Sequence, residues 1–101
     1  MNEEPFGPLV PILSFKNFDE VIERANKNDL GLASYIYTNN LEKAHKASEL
    51  METGTVAVNT GVVALPEAPF GGIKQTGYGR EGGSMAIKDY LNIKYTHLGI
   101  T

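Results

Sequence analysis

Between residues 9 and 59 the apolar pattern changes period four times, and few folds accept such an alternation. Residues 9–15 form a nearly continuous apolar run that reads as a buried strand, in spite of Pro11. Asn17 can cap a helix, and Glu20 three residues later completes a capping-box pattern. Phe18, Val21, Ile22 and Ala25 then recur at helical spacing. Gly31 supplies a stop or turn after Leu30. Residues 32–38, rich in Tyr and Ile, read as a second strand. Asn40 caps a second helix carried by Leu41, Ala44, Ala47, Leu50 and Met51, and Gly54 ends it. Residues 55–59 are a short third strand. The order β-α-β-α-β predicts an α/β fold with a mainly parallel sheet covered by helices.

After Asn59 the character changes. Residues 60–83 hold seven of the eleven glycines and two of the five prolines, and no regular element is expected there. An irregular stretch of that length inside a small domain is usually functional. A short helix follows, from Ser84 as N-cap to Leu91. Residues 93–98 then alternate as a final strand, with Ile93, Tyr95 and His97 on one face and Lys94, Thr96 and Leu98 on the other.

Composition removes several function classes. At 101 residues the chain is one domain at most, and 42% hydrophobic residues suffice for a core of marginal size. The net charge is −3, and the nine basic residues are scattered. That argues against nucleic acid or an anionic membrane as partner. No apolar run approaches the length of a membrane span, and no charged-then-apolar leader opens the sequence. There is no cysteine, hence no disulfide framework and no thiolate metal site, and a reducing cytoplasm fits best. His45 and His97 have no ligand-spaced partner and read as surface or interface residues.

Two motifs remain. Gly77-Tyr78-Gly79-Arg80-Glu81-Gly82 formally matches G-x-G-x-x-G, but a loop precedes it and the last possible acidic residue is Asp89. A dinucleotide fingerprint needs a strand before it, a helix within it and an acid about 20 residues on. The glycines are better read as a tight surface path tied down by ion pairs of Arg80 and Glu81. Glu4-Pro5-Phe6-Gly7-Pro8 is a stiff segment, because each proline restricts the residue before it. A carboxylate held beside an aromatic ring suits a sugar diol next to a flat ring. The plain alternative is a solvated terminus with Phe6 as a core anchor.

Taken together, Glu3-Glu4-Pro5-Phe6-Gly7-Pro8 and the run from Glu67 through Pro69-Phe70-Gly71-Gly72 to Gly83 resemble the C-terminal part of NAD(P)-dependent aldehyde dehydrogenases. The resemblance runs from Glu3 to about Gly99. It implies that Glu4 binds the nicotinamide ribose hydroxyls and that Phe6 packs near the nicotinamide ring. It implies that the loop after Asn59 lines the aldehyde entrance, with Phe70 in the substrate tunnel and Val63 and Ala64 at positions that set specificity. Within the family the look is that of succinate-semialdehyde dehydrogenases, on Asn59-Thr60-Gly61-Val62-Val63, Ala68-Pro69-Phe70-Gly71-Gly72-Ile73-Lys74-Gln75, Asp89-Tyr90-Leu91 and Ile93-Lys94-Tyr95. Ala64 departs from that branch, many members of which carry a serine whose hydroxyl helps hold the substrate carboxylate; alanine cannot donate that bond.

The resemblance also implies what this chain lacks. The family's nucleophilic cysteine, its general-base glutamate and its nucleotide-binding domain all precede the first motif. No catalytic residue is therefore expected here, and neither Glu67 nor Glu81 is the general base. Residues 1–92 are expected to be part of the catalytic domain and residues 93–101 an oligomerisation strand and tail. NAD or NADP would serve the complete enzyme, with no tight binding to this chain alone. The expected partners are a small aldehyde and further copies of the chain. A non-catalytic α/β module that self-associates by strand pairing is the alternative.

Overall fold

The computed structural model describes residues 4–100. Glu3, which opens the first motif, and the terminal Thr101 lie outside the described residues.

The first helix, α1 (Phe18–Asn26), starts where its cap dictates. Asn17 is extended, and its Oδ1 accepts the Glu20 N–H at 2.9 Å. Glu20 returns the bond one residue further back than in the usual box, its Oε2 accepting the Lys16 N–H at 2.9 Å. The strand β1 (Leu30–Gly31) follows, then β2 (Ala33–Ile36). The second helix, α2 (Leu41–Leu50), begins at Asn40, whose Oδ1 accepts the Lys43 N–H at 2.8 Å. Removing either Asn cap is expected to cost about 1 kcal/mol. The strand β3 (Thr55–Val58) lies parallel to β2, pairing Ala33 with Thr55 through Ile36 with Val58. The unit β2-α2-β3 is thus the parallel crossover that the sequence predicts. Ala44 and Ala47 of α2 and Ala57 of β3 are buried at its centre.

The rest of the predicted sheet is absent among the described residues. Residues 9–15 carry no ladder, and Val10 and Ile12 are 83% and 87% exposed. A strand needs a neighbour for its N–H and C=O groups, and none reaches this arm. Residues 93–98 are likewise unpaired and exposed. Instead of one sheet there are two small ones. The second joins β1 to β4 (Ile73–Lys74) antiparallel, Leu30 opposite Lys74 and Gly31 opposite Ile73. The expectation of no regular element in 60–83 is corrected by β4 and by a bridge between Phe70 and Glu81. Gly31 is accordingly a paired strand residue, not a stop. Gly54 does not end α2 either: the helix closes at Leu50, and Met51 is already extended. The last helical element is a 3-10 turn, Ala86–Tyr90, entered at Met85 with no side-chain cap, so Ser84 does not serve as N-cap.

Among the described residues no large side chain is fully buried. The roughly 1.5–3 kcal/mol that full burial of a Leu, Ile or Phe supplies is therefore largely unrealised. The accessible surface is 8789 Å², against about 5,600 Å² for a compact protein of this mass. The Cα radius of gyration is 18.6 Å, against about 13 Å for a compact domain of this length. The chain presents a small ordered unit with two apolar arms.

Candidate functional site

The glycine-rich loop is held at three points, the first of them on the α/β unit. At its near end Lys74 extends its ammonium to the carbonyls of Asn26 at 2.8 Å and Asn28 at 3.0 Å, and to the Glu52 carboxylate at 2.7 Å. Asn26 bridges back to α2, its Nδ2 donating to the Leu50 carbonyl and its Oδ1 accepting the Glu52 N–H. Next to Lys74, the Gln75 N–H donates to the Asp29 carbonyl, and Thr76 Oγ1 accepts the Gly31 N–H at 2.7 Å. At the middle, Phe70 and Glu81 exchange both backbone bonds at 2.7 Å. Arg80 Nη1 donates to the carbonyls of Gly72 at 2.9 Å and Gly79 at 2.7 Å. At the far end the Asp89 carboxylate accepts the Arg80 N–H at 3.0 Å. So Arg80 ties the loop through carbonyls and Glu81 through its backbone; the expected ion pairs do not form among the described residues. Gly77, Gly79, Gly82 and Gly83 all have positive φ, which the G-x-G-x-x-G reading left to backbone freedom and the structure bears out.

A second anchor sits where β2 and β3 end. Asn59 has φ +55°, accepts the Thr38 N–H at 2.9 Å and donates Nδ2 to the Thr38 carbonyl at 3.0 Å. Its own N–H reaches the Ile36 carbonyl at 2.8 Å. Asparagine tolerates left-handed backbone better than most residues, and here its side chain compensates the cost. The loop 60–70 therefore leaves the carboxyl ends of two parallel strands, where open α/β sheets place their ligands.

Phe70 is half-buried at the bridge, Val63 is half-buried, and Ala64 is exposed on the outgoing loop. Glu4 and Phe6 lie apart from these on the N-terminal arm. The Phe6 N–H donates to the Glu4 carbonyl, the Gly7 N–H to the Pro5 carbonyl and the Leu9 N–H to the Gly7 carbonyl, all at 2.8–2.9 Å. Such two-residue bonds make successive tight turns, so the stiffness expected of this segment is present. The Phe6 ring is 96% exposed, which removes the core-anchor alternative. No hydrogen bond among the described residues links the Glu4–Phe6 segment to the Phe70 loop. The fold brings Val63, Ala64 and Phe70 onto one loop system and leaves Glu4 and Phe6 outside it.

Two hollows in the surface lie elsewhere. One, of about 520 Å³, is lined by Phe15, Phe18 and Ile22 on one side and Tyr35, Ala47 and Met51 on the other. It is an unfilled seam between α1, β2 and α2. The other lies against α2 and β3 beside Ala44, His45 and Val58. Neither contains the five candidate residues. A hydrogen bond and charge from Lys27 hold the Glu23 carboxyl below its ordinary range, but that exposed pair sits on α1 and touches none of them. His45 lies on α2 at 3.7 Å from Glu49, and His97 at 3.3 Å from the Tyr95 hydroxyl.

Sequence reasoning missed Asn26, Asn59 and Lys74 as organising residues. Asn59 and Lys74 are the two non-glycine residues with positive φ among those described. For a lysine that conformation costs of order 1–2 kcal/mol. Nothing local in the sequence signals it, since the partners of Lys74 lie more than 20 residues away.

The profile of the aldehyde dehydrogenase family matches residues 1–96. The chain is 51% identical over 98 residues to 3-sulfolactaldehyde dehydrogenase of Pseudomonas putida, covering 97% of this chain and 20% of that protein. It is 47% identical over 98 residues to an NADP+ succinate-semialdehyde dehydrogenase of Escherichia coli, again 97% and 20%. Among solved structures, an E. coli NADP-dependent enzyme superposes with a TM-score of 0.89 at 47% identity, over 97% of this chain and 20% of that one. The NAD+ complex of a Bacillus cereus aldehyde dehydrogenase does so with a TM-score of 0.87 at 44% identity, over 91% and 19%. The chain thus spans about a fifth of the length of these relatives.

Proposed function

The chain belongs to the aldehyde dehydrogenase family, and from that premise we propose that it is the C-terminal part of the catalytic domain of an NAD(P)-dependent enzyme. That enzyme converts an aldehyde, NAD(P)+ and water to a carboxylic acid, NAD(P)H and a proton. The single observation that carries this reading is the joint presence of the Glu4–Phe6 segment and the Phe70 loop around a parallel β2-α2-β3 unit. The similar proteins named for sulfolactaldehyde, succinate semialdehyde and glutarate semialdehyde all act on aldehydes that carry an acid group. Succinate semialdehyde is the substrate proposed here.

The nicotinamide cofactor, when bound, accepts the hydride. The residues present suit its ribose and ring. Glu4 offers a carboxylate on a turn-stiffened arm, and Phe6 offers an unburied aromatic face beside it. A carboxylate accepts the hydrogen bonds of a diol, and a phenyl face covers a flat ring. Val63, Ala64 and Phe70 would shape the aldehyde's path and keep bulk water from it. Proton transfer and nucleophilic attack fall to residues outside this sequence, which contains no cysteine. Residues 93–101 would join subunits. The proposed location is the cytoplasm; among the described residues no helix is long and apolar enough to cross a membrane.

The test is purification of the native protein from its source. Its mass, compared with the reading frame, should exceed 11.0 kDa, and it should reduce NAD+ or NADP+ with succinate semialdehyde. A native polypeptide of 101 residues without turnover would instead support the self-associating module, which the unpaired apolar arms favour. In the active native enzyme, Glu4→Gln keeps the shape and removes the charge. A charge-assisted hydrogen bond contributes roughly 1.5–3 kcal/mol, so cofactor affinity or hydride transfer should fall about tenfold or more. Unchanged KM for cofactor and unchanged kcat would remove Glu4 from the site.

Self-association has its own test. Ile93, Tyr95 and Leu98 stand exposed on a segment with no partner strand among the described residues. Such a segment invites pairing with another chain. Sedimentation of the full chain should show an oligomer, and removal of residues 93–101 should dissolve it. A full chain that stays monomeric at high micromolar concentration, or a deletion that leaves the oligomer intact, places the interface elsewhere.

A further inference from the structure

Lys74 is held in a conformation that glycine would adopt more easily, at φ +57°. Its neighbours Gly71 and Gly72 show that glycine is available in this stretch. What lysine adds is the ammonium. That group collects the last carbonyl of α1, at Asn26, the Asn28 carbonyl just beyond it and the carboxylate that follows α2, three acceptors within 3.0 Å. The side chain is 24% exposed, whereas Glu52 is 56% exposed. The Glu52 arm is therefore screened by water, and the two carbonyls of Asn26 and Asn28 carry more of the attachment. As part of β4, the backbone of the same residue pairs with Leu30 of β1. Lys74 thus joins both helix ends to the strand from which the loop of Arg80 and Glu81 departs, and that loop is bridged to Phe70.

We propose that Lys74 is a positioning residue for the aldehyde path: its ammonium gathers the Asn26 and Asn28 carbonyls and Glu52 at one point and so fixes the direction in which the loop bearing Phe70 leaves the α/β unit. The part played by Phe70 rests on the function proposed above; the anchoring does not. Lys74 touches no substrate and acts through the loop.

The experiment is amide hydrogen exchange on the full chain, read by NMR without substrate or cofactor, so that its failure leaves aldehyde oxidation standing. The reporters are the N–H groups of Gln75, Thr76 and Glu81, bonded to Asp29, Ile73 and Phe70. The references are Ala44 and Asn59, bonded to Asn40 and Ile36. Lys74→Gly relieves the backbone but removes the ammonium. It should speed exchange at the reporters about tenfold or more while the references move less than about threefold. Lys74→Arg, which restores a cation, should return the reporters to within about threefold of the unsubstituted chain. Glu52→Gln should have the smaller effect, about threefold, as befits a screened partner. Three results would overturn the proposal. One is a glycine variant as well protected as lysine, which would make the position a turn and nothing more. Another is acceleration of reporters and references together, which would make the role one of general stability. The third is an unsubstituted chain with unprotected reporters.

Discussion

The purified 101-residue chain, mixed with succinate semialdehyde and NAD+ or NADP+, is expected to give no steady rise in reduced nicotinamide. The chemistry of the family requires a thiolate nucleophile, and the sequence holds no cysteine. Covalent catalysis needs both a nucleophile and a base within reach of it. Of the carboxylates around the glycine loop, Asp89 accepts the Arg80 N–H and Glu52 pairs with Lys74, and Glu67 and Glu81 on the loop itself have no thiolate to serve. Enzymes accelerate such reactions by about 10⁶-fold or more, and the whole of that factor should be missing. Continuous turnover by material whose mass is verified would overturn the reading of this chain as a non-catalytic segment. A native enzyme that is active while the chain is inert is the expected pair of results.

The second large effect belongs to Gly54. A Cβ placed there would overlap the Gly71 carbonyl oxygen and come within 2.8 Å of its carbonyl carbon and 2.9 Å of Gly72 Cα. The obstacle is backbone, not a side chain that can turn aside. The Gly54 N–H also donates to the Gly31 carbonyl at 3.0 Å, so residues 54, 31 and 71–72 approach one another as bare backbone. Gly31 is similarly closed in, by the Glu52 carbonyl at 2.9 Å and the Ile73 side chain at 2.9 Å. Gly54→Ala should therefore push the loop off the α/β unit. Overpacking of a tight site costs about 1–3 kcal/mol and sometimes more, and the upper end is expected here. For a chain with so little buried apolar surface that is a large share of its stability. Urea unfolding should lose its cooperative transition or shift it strongly. Gly7→Ala is the control, because nothing lies within 4 Å of a Cβ there. A Gly54→Ala variant as stable as the Gly7→Ala control would mean that loop and unit are not packed as described.

The two helices were legible in the sequence because their causes are local. Asn17 and Asn40 sit three residues from the N–H groups they cap, and the amphipathic spacing lies within the helices themselves. The parallel pairing of β2 with β3 was legible for a similar reason: the intervening helix fixes the crossover. The glycine motif of residues 77–82 was legible as a motif, and the positive φ at Gly77, Gly79 and Gly82 agrees with the reason given for it.

The sheet as a whole was not legible. Residues 9–15 and 93–98 have the composition of strands, but a strand exists only where another backbone supplies its hydrogen bonds, and composition does not say whether one does. The pair of β1 with β4 joins residues 30–31 to 73–74, and neither strand is long enough to show alternation. Gly54 reads as a helix stop because glycine usually is one; its N–H bonds to the Gly31 carbonyl, and the Gly71 carbonyl 17 residues on closes over its Cα. Arg80 reads as an ion-pairing residue because it is followed by Glu81, yet folded geometry offers it the carbonyls of Gly72 and Gly79. Nothing in the sequence singles out Lys74, and only the meeting of α1, α2 and β4 gives it three acceptors. Residues within four places of one another thus decide caps, helix faces and turns, and a helix between two strands decides their crossover. The tertiary structure decided which backbone groups found partners, because those partners lie tens of residues away and are selected by packing.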